Sequence, residues 1–253
     1  SVDALLGDRI TRETRLDYDA DRGAVVAETV EALGAIVLAR RPLDNPDAAL
    51  LADALVAAVA RAGLQMLPWD DEAAALRARI AFVCGQGDTR FPDLSDSALL
   101  ASLDQWLRPL LSGKRRLTDI DEGAMLGALK GVLGWDGQQQ VDQLAPAHFT
   151  SPAGTTHAID YTADAGPTVE LRVQALFGLA AHPVIGRNKV PLVLSLTSPA
   201  GRPIQTTRDL PGFWAGSWRD VAKEMRGAYP RHHWPDDPAN AAASLKTKKK
   251  QGI

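Results

Sequence analysis

Apolar and polar positions change their spacing twice along the chain, and the changes divide it into three parts. Residues 9–19 (RITRETRLDYD) and 24–31 (AVVAETVE) read as extended stretches joined by the turn-rich run Asp19-Ala20-Asp21-Arg22-Gly23, which predicts a hairpin. A third extended run, Gly34 to Ala39, carries Ile36, Val37 and Leu38 and ends at Arg41-Pro42. Three short strands make a thin core on their own. Residues 1–44 are therefore expected to be the end of an upstream β-domain, in a chain that has been cut, or strands that pair with the later domain.

From Asn45 the spacing becomes helical. Asn45 is expected to cap, Pro46 to take a first helical position, and Leu50, Leu51, Ala54, Leu55, Ala58 and Val59 to line one face up to Gly63. Further helices are predicted from Asp70 (Leu76, Ile80, Val83) and from Ser95 (Leu99, Leu100, Leu103, Trp106, Leu107). A fourth opens at Leu117-Thr118-Asp119 with Met125, Leu126, Leu129 and Leu133, and a short fifth covers Trp135 to Leu144. Residues 45–146 thus read as a helical module.

Strand signals return after Pro146, over 148–150, 157–162, 190–196 and 203–207, with a short helix over Arg172 to Phe177. A last helix is expected from Asp209 to Arg226, capped by Asp209, with Leu210, Trp214, Trp218, Val221 and Met225 on one stripe. Beyond it, three prolines between Pro230 and Pro238 forbid a helix and predict a rigid extended strap anchored by Trp234, then a disordered basic end. Residues 147–253 read as an α+β domain, and the fold class as α+β throughout.

With 253 residues and 45% hydrophobic content the chain can bury a substantial core. No apolar run reaches the ~20 residues that span a bilayer, and the first residues lack the features of an export signal. One cysteine, Cys84, excludes an internal disulfide and suits a reducing cytoplasm; set among Ile80, Phe82 and Val83, it is expected to be a small buried apolar residue. The net charge of -3 hides an asymmetry: residues 187–253 hold 12 Lys/Arg against 5 Asp/Glu, whereas residues 1–186 hold 16 against 26. A basic end on an acidic body invites a local contact with polyanions, or is a plain solvated tail.

The segments RPIQTTRDLPGFW (202–214), KEMRGAYPRHHWPDDP (223–238) and Lys246-Thr247-Lys248-Lys249, with LGAIVLARRPL (33–43), LRARIAF (76–82), FPDLSDSALLASLDQWLRPLL (91–111) and LAPAHFTSPAG (144–154), carry a family resemblance. Over almost its whole length the chain resembles the C-terminal region of bacterial HrpB-type DEAH-box ATP-dependent helicases. The resemblance implies an upstream motor of two RecA-like domains in cis, followed by winged-helix, helical-bundle and β-barrel parts, with ATP and Mg²⁺ held in the motor and movement on RNA. This chain departs from the motor's pattern. Its only Gly-Lys pair, Gly113-Lys114, is followed by Arg115, Arg108 stands at the first P-loop glycine's place, and no Asp-Glu-Ala-His box occurs. Without a phosphate cradle and a Mg²⁺ carboxylate, no ATPase activity, catalytic residue, cofactor or metal site is expected here.

The candidate contacts are cationic. Arg219, Lys223 and Arg226 follow at i, i+4, i+7, roughly opposite the apolar stripe, and Arg187, Lys189, Arg202 and Arg208 extend the strip if the strands lie alongside. Lys246, Lys248, Lys249 and Lys250 add a tail whose affinity for single-stranded RNA or DNA would fall steeply with salt. The plainer reading is a solvated face, since Asp220 and Glu224 interleave.

Other chemistry is weaker. Adjacent His232 and His233 point to opposite sides of an extended chain and have no partner cluster, which argues against a metal site. His148, His157 and His182 accompany no elbow or triad order, which argues against a hydrolase. Trp106, Trp135, Trp214, Trp218 and Trp234 could stack bases, but those at helical apolar positions belong in the core. The competing function is a protein-docking domain without nucleic-acid contact.

Overall fold

The computed structural model describes residues 10–247. Two compact units divide the chain: Ser1–Ala74 with Pro92–Trp135, and Ala75–Phe91 with Asp136–Ile253. The units interleave along the sequence, because two helices cross the boundary between them.

The first unit begins with an antiparallel meander of β1 (Ile10–Asp19), β2 (Ala24–Leu33) and β3 (Ile36–Pro42), in that order. The β1–β2 turn forms where expected: Asp19 Oδ1 accepts from the amides of Asp21 and Arg22 at 3.0 and 3.1 Å, and Gly23 supplies the left-handed φ of 61°. β2 buries Val25, Ala27 and Val30, whereas β1 and β3 are mostly exposed.

α1 (Ala48–Ala62) packs on β1 and β2 through Leu51, Ala52, Leu55, Ala58 and Val59. Its cap is Asp47, not Asn45: the Asp47 carboxylate accepts from the amides of Ala49 and Leu50 at 2.7 and 3.2 Å. Pro46 therefore precedes the helix, where its missing N–H is harmless and its ring holds Asn45 out of the helical region. α2 (Asp71–Gly85) starts with the Asp70 carboxylate accepting from Ala73 N at 2.6 Å. The helix predicted from Ser95 is two short ones, α3 (Asp96–Ala101) and α4 (Leu103–Trp106), separated at Ser102, whose hydroxyl donates to Ala98 O at 2.9 Å. Such back-bonding bends helices. Leu117–Asp119 forms a single 3-10 turn before α5 (Ala124–Leu144), which is broken at Gly134 (φ 71, ψ 171), as the separate segment from Trp135 predicts.

The second unit holds the α+β part. β4 (His148–Thr150) and β5 (Thr156–Ala158) form a hairpin. β6 (Thr168–Arg172), absent from the sequence reading, runs parallel to β9 (Val193–Thr197), which pairs antiparallel with β10 (Pro203–Thr207). The crossover from β6 to β9 contains a 3-10 turn, Val173–Leu176, and a small hairpin of β7 (Val184–Ile185) and β8 (Val190–Pro191).

The helix predicted over Asp209 to Arg226 is two: α6 (Leu210–Ala215) and α7 (Trp218–Ala228). Gly216, at φ -101 and ψ -98, caps α6 with its amide on Gly212 O, and the chain then turns at Ser217. The break sets the Trp214 and Trp218 rings edge to face at 5.3 Å. Val169, Leu171, Leu176, Phe177, Leu194, Leu196, Leu210, Phe213, Trp218, Ala222, Met225 and Trp234 form one buried cluster. Each Val, Leu, Phe or Met side chain in it contributes about 1.5–3 kcal/mol by leaving water.

The strap behaves as predicted. Trp234 is buried in that cluster and its indole N–H donates to Tyr229 O at 3.0 Å, while Trp218 Nε1 donates to Pro235 O at 2.9 Å.

Candidate functional site

The cationic candidates fall into two groups within the second unit. On α7, Trp218, Ala222 and Met225 are buried and define the inner face. At 100° per residue, Arg219, Lys223 and Arg226 occupy one flank of that face and Asp220 and Glu224 the other. The basic residues thus share a strip, beside the apolar face rather than opposite it.

Arg226 is already engaged. Its Nε and Nη2 donate to Trp234 O at 3.2 and 2.8 Å, and Nη2 also pairs with the Asp236 carboxylate, so this arginine clamps the strap to the helix. Arg219 and Lys223 are exposed and make no ion pair among the described residues. The β9–β10 hairpin lies alongside α7, with Ser217 Oγ donating to Gln205 Oε1 at 2.9 Å and the Ser198 and Tyr229 hydroxyls 3.2 Å apart. Arg202, in the β9–β10 turn, is exposed near the second of these contacts; Arg208 is exposed and donates to Ala165 O.

Arg187 and Lys189 sit elsewhere, on the tip of the β7–β8 hairpin. The tip rests on the loop after α2: Asn188 N donates to Gln86 Oε1 at 3.2 Å, and a Cβ on Gly186 (φ 73) would collide with the Gln86 amide. Beneath the tip lies Asp88, buried, whose carboxylate accepts from Arg90 Nε and Nη2 at 2.9 and 2.6 Å and faces Arg187 Nη2 at 3.4 Å. The Arg90 hydrogen bond outweighs the cost of burial and holds the Asp88 carboxyl down at about 2. One acid therefore organises two arginines. Lys189, in the left-handed region at φ 50, stands exposed beside them with no ion pair among the described residues. Arg90 escaped the sequence reading because its partnership with Arg187 is long-range.

Lys246 is exposed, and Lys248, Lys249 and Lys250 lie outside the described residues. Of the tryptophans offered as stacking platforms, Trp106, Trp218 and Trp234 are buried and Trp214 partly so, whereas Trp135 is 72% exposed. Cys84 is half-buried. Among the described residues no group of His, Cys, Asp and Glu could hold a metal. His182 has both ring nitrogens engaged: Nδ1 accepts from Leu210 N at 3.0 Å, so Nε2 carries the proton it donates to Leu192 O at 2.7 Å. His157 contacts Thr155 Oγ1 at 2.7 Å, and His232 packs on Gln174, its pKa lowered by burial and by Arg172. No helix among the described residues is long and apolar enough to cross a membrane.

The described residues thus form an α+β fold with a strand meander, helices and a strap-closed mixed sheet, and carry exposed cations in the second unit. Residues 106–238 match the family model described as ATP-dependent helicase C-terminal, and residues 9–43 match the ATP-dependent RNA helicase HrpB connector region. The chain belongs to the HrpB helicase C-terminal family. It is 39% identical over 243 residues to the ATP-dependent RNA helicase HrpB of Escherichia coli strain K12, covering 95% of this chain and 30% of the relative. Solved structures agree. The E. coli DExH-box NTPase HrpB matches 98% of this chain and 31% of its own at 37% identity and a TM-score of 0.79. A second, the Escherichia coli DEAH/RHA helicase HrpB, matches 89% and 29% at 36% identity and 0.67. The chain thus spans about a third of the length of the proteins it matches.

Proposed function

We propose that this chain is the non-catalytic C-terminal accessory region of an ATP-dependent RNA helicase, supporting the motor in cis and offering a contact surface to single-stranded RNA or DNA. In this reading ATP and Mg²⁺ are bound in the longer protein's remaining length and the protein works in the cytoplasm. Residues 1–44 complete a β-domain, 45–146 form a helical connection, and 147–253 present the surface.

The observation that carries the proposal is that Lys189, Arg202, Arg219 and Lys223 are all exposed and form no ion pair among the described residues, although acids outnumber bases in the sequence. Unpaired exposed cations are available to phosphates, and each phosphate they neutralise releases a counterion. Arg187 adds to Lys189 at the hairpin tip and Arg208 to the other group, and Lys246, Lys248, Lys249 and Lys250 supply further cations.

Fluorescence anisotropy of a labelled single-stranded RNA, titrated at several salt concentrations, tests this. Reversing Arg219 and Lys223 together should weaken binding uniformly across sequences and flatten the log–log salt slope by about one per cation lost. Absence of binding at low salt would count against it.

A second reading, docking onto protein alone, is favoured by β3, an edge strand on which Ile36, Val37 and Leu38 are exposed. Nuclease-resistant capture of the separately expressed motor, lost on substituting those residues, would support it.

A further inference from the structure

The first unit contains a cavity of about 510 Å³ that the cationic surface of the second unit does not involve. Its walls come from the start of β2 (Ala24 to Ala27), the end of β3 with the residues after it (Pro42 to Asp44), the β1–β2 turn and the segment Arg115-Arg116. Backbone bonds fix the walls: Val25 N donates to Arg115 O at 2.8 Å, and Leu43 N donates to Ala27 O at 2.9 Å. The size falls within the range of pockets that hold small organic ligands, about 300–1,000 Å³.

Three arginines, Arg22, Arg115 and Arg116, line it against one acid, Asp44. They do so in the part of the chain, residues 1–186, where acids outnumber bases 26 to 16, so general solubility does not explain the cluster. Arg115 is oriented by donating through Nη2 to the carbonyls of Leu43 and Asp44, which leaves its other donors unassigned. Arg22 is tied only loosely, at 3.4 Å, to Asp19. Arg116 is exposed and makes no ion pair among the described residues.

We infer that this cavity binds a phosphate group, with Arg116 and Arg22 as the mobile ligands, Arg115 as the fixed one, and Val25, Val26 and Pro42 as an apolar wall for the attached sugar or base. Guanidinium groups suit the task because they are planar, permanently charged and bidentate toward phosphate oxygens. The phosphate has two sources, a free mononucleotide or the backbone of a nucleic-acid strand. The inference is independent of the surface proposed above, since none of its residues belongs to the second unit.

The test uses the full 253-residue chain, ¹⁵N-labelled, with the amides of Val25, Val26, Ala27 and Leu43 as reporters. The probes are inorganic phosphate, a nucleoside monophosphate and a short oligouridylate, added in turn at constant ionic strength. Saturable shifts at these amides are expected, with affinity about tenfold weaker in Arg116→Glu, weaker again on adding Arg22→Glu, and unchanged in Lys223→Glu. Both substituted arginines are exposed, so the fold should survive, and the unshifted remainder of the spectrum checks that. Tighter binding of the mononucleotide than of phosphate assigns a small-molecule source, whereas a response to the oligonucleotide alone assigns a strand. Reporters that stay still with all three probes, or an Arg116→Glu chain that responds like the parent, overturn the inference. Loss of RNA affinity in Arg219→Glu/Lys223→Glu with the cavity response intact would separate the two sites.

Discussion

The strap-closed domain and the opening meander solve the same problem with opposite results. In the former, Phe177, Phe213, Trp214, Trp218 and Trp234 form a continuous series of ring contacts with centroids 5.0 to 6.3 Å apart, and each indole N–H finds a carbonyl. In the latter only β2 buries Val25, Ala27 and Val30, and β3 leaves Ile36, Val37 and Leu38 in solvent. A segment rich in aromatics that returns over its own helix closes a core by itself. A three-stranded ribbon lacks the material to do so, and the apolar residues it shows outside are available to something else.

The largest effect expected from this contrast follows removal of the ring at its centre. Trp218 is 1% exposed and touches Phe177, Phe213, Trp214 and Trp234, so Trp218→Ala should cost about 3–5 kcal/mol by the cavity it leaves. Urea unfolding followed by tryptophan fluorescence reads this, and a loss under ~1 kcal/mol would mean the rings do not close the core.

Next in size is the clamp. Arg226→Ala removes the hydrogen bonds to Trp234 O and the pair with Asp236. Half-exposure discounts the charge, leaving about 1 kcal/mol. Limited proteolysis should find faster cleavage between Tyr229 and Leu245, whereas Lys223→Ala, one turn away on the same flank, should leave the strap protected. Equal cleavage in both variants would show that the strap does not depend on Arg226.

A smaller, pH-dependent effect belongs to the β7–β8 tip. The Asp88 carboxyl titrates at about 2 in the folded chain, below its ordinary value near 4, chiefly because of Arg90. A depressed folded pKa contributes stability that is full above the unfolded value and is lost as pH falls through the folded one. Between about pH 4 and pH 2 the amides of Gly186 to Lys189 should therefore shift together, while the resonances of β1 and β2 need not follow. Asp88→Asn should abolish that transition, and its persistence in the variant would locate the responsible acid elsewhere.

Much of this was legible in sequence, and the exceptions share a cause. The capped starts of helices, at Ser95 and at Asp209, were placed because a cap is a local signal, although the helix that follows each is broken in two. The strap was legible for the same reason: prolines exclude a helix, and a lone tryptophan among polar residues needs a groove. β6 was missed because its partner β9 is parallel and distant, so no hairpin joins the two, and Glu170 and Arg172 dilute its short alternation. The break between α6 and α7 was hidden because the apolar stripe runs on through Trp214 and Trp218, the pair that the break brings edge to face. The cationic candidates were visible as charges. Their division between a helix flank and a hairpin tip was not, since it depends on Asp88 and Arg90, far from Arg187 in the chain.

The smallest expected effect is also the one that sharpens the contrast most. Ile36 is 65% exposed and Leu38 about half exposed on an edge strand, so Ile36→Ser with Leu38→Ser removes only the partly buried fraction of two side chains. Stability should change by less than about 0.5 kcal/mol, the range of ordinary surface substitutions, even though two large apolar side chains are lost. Serine costs some strand propensity, but β3 keeps its backbone ladder with β2, from Leu33 opposite Ile36 to Glu28 opposite Pro42. Urea unfolding of the double variant beside the parent measures this. A loss above ~1 kcal/mol would place these residues in the meander's own core and remove the ground for regarding β3 as a docking edge. Unchanged stability, with capture of the motor abolished, would mean that the apolar residues the ribbon cannot bury are retained for the rest of the helicase.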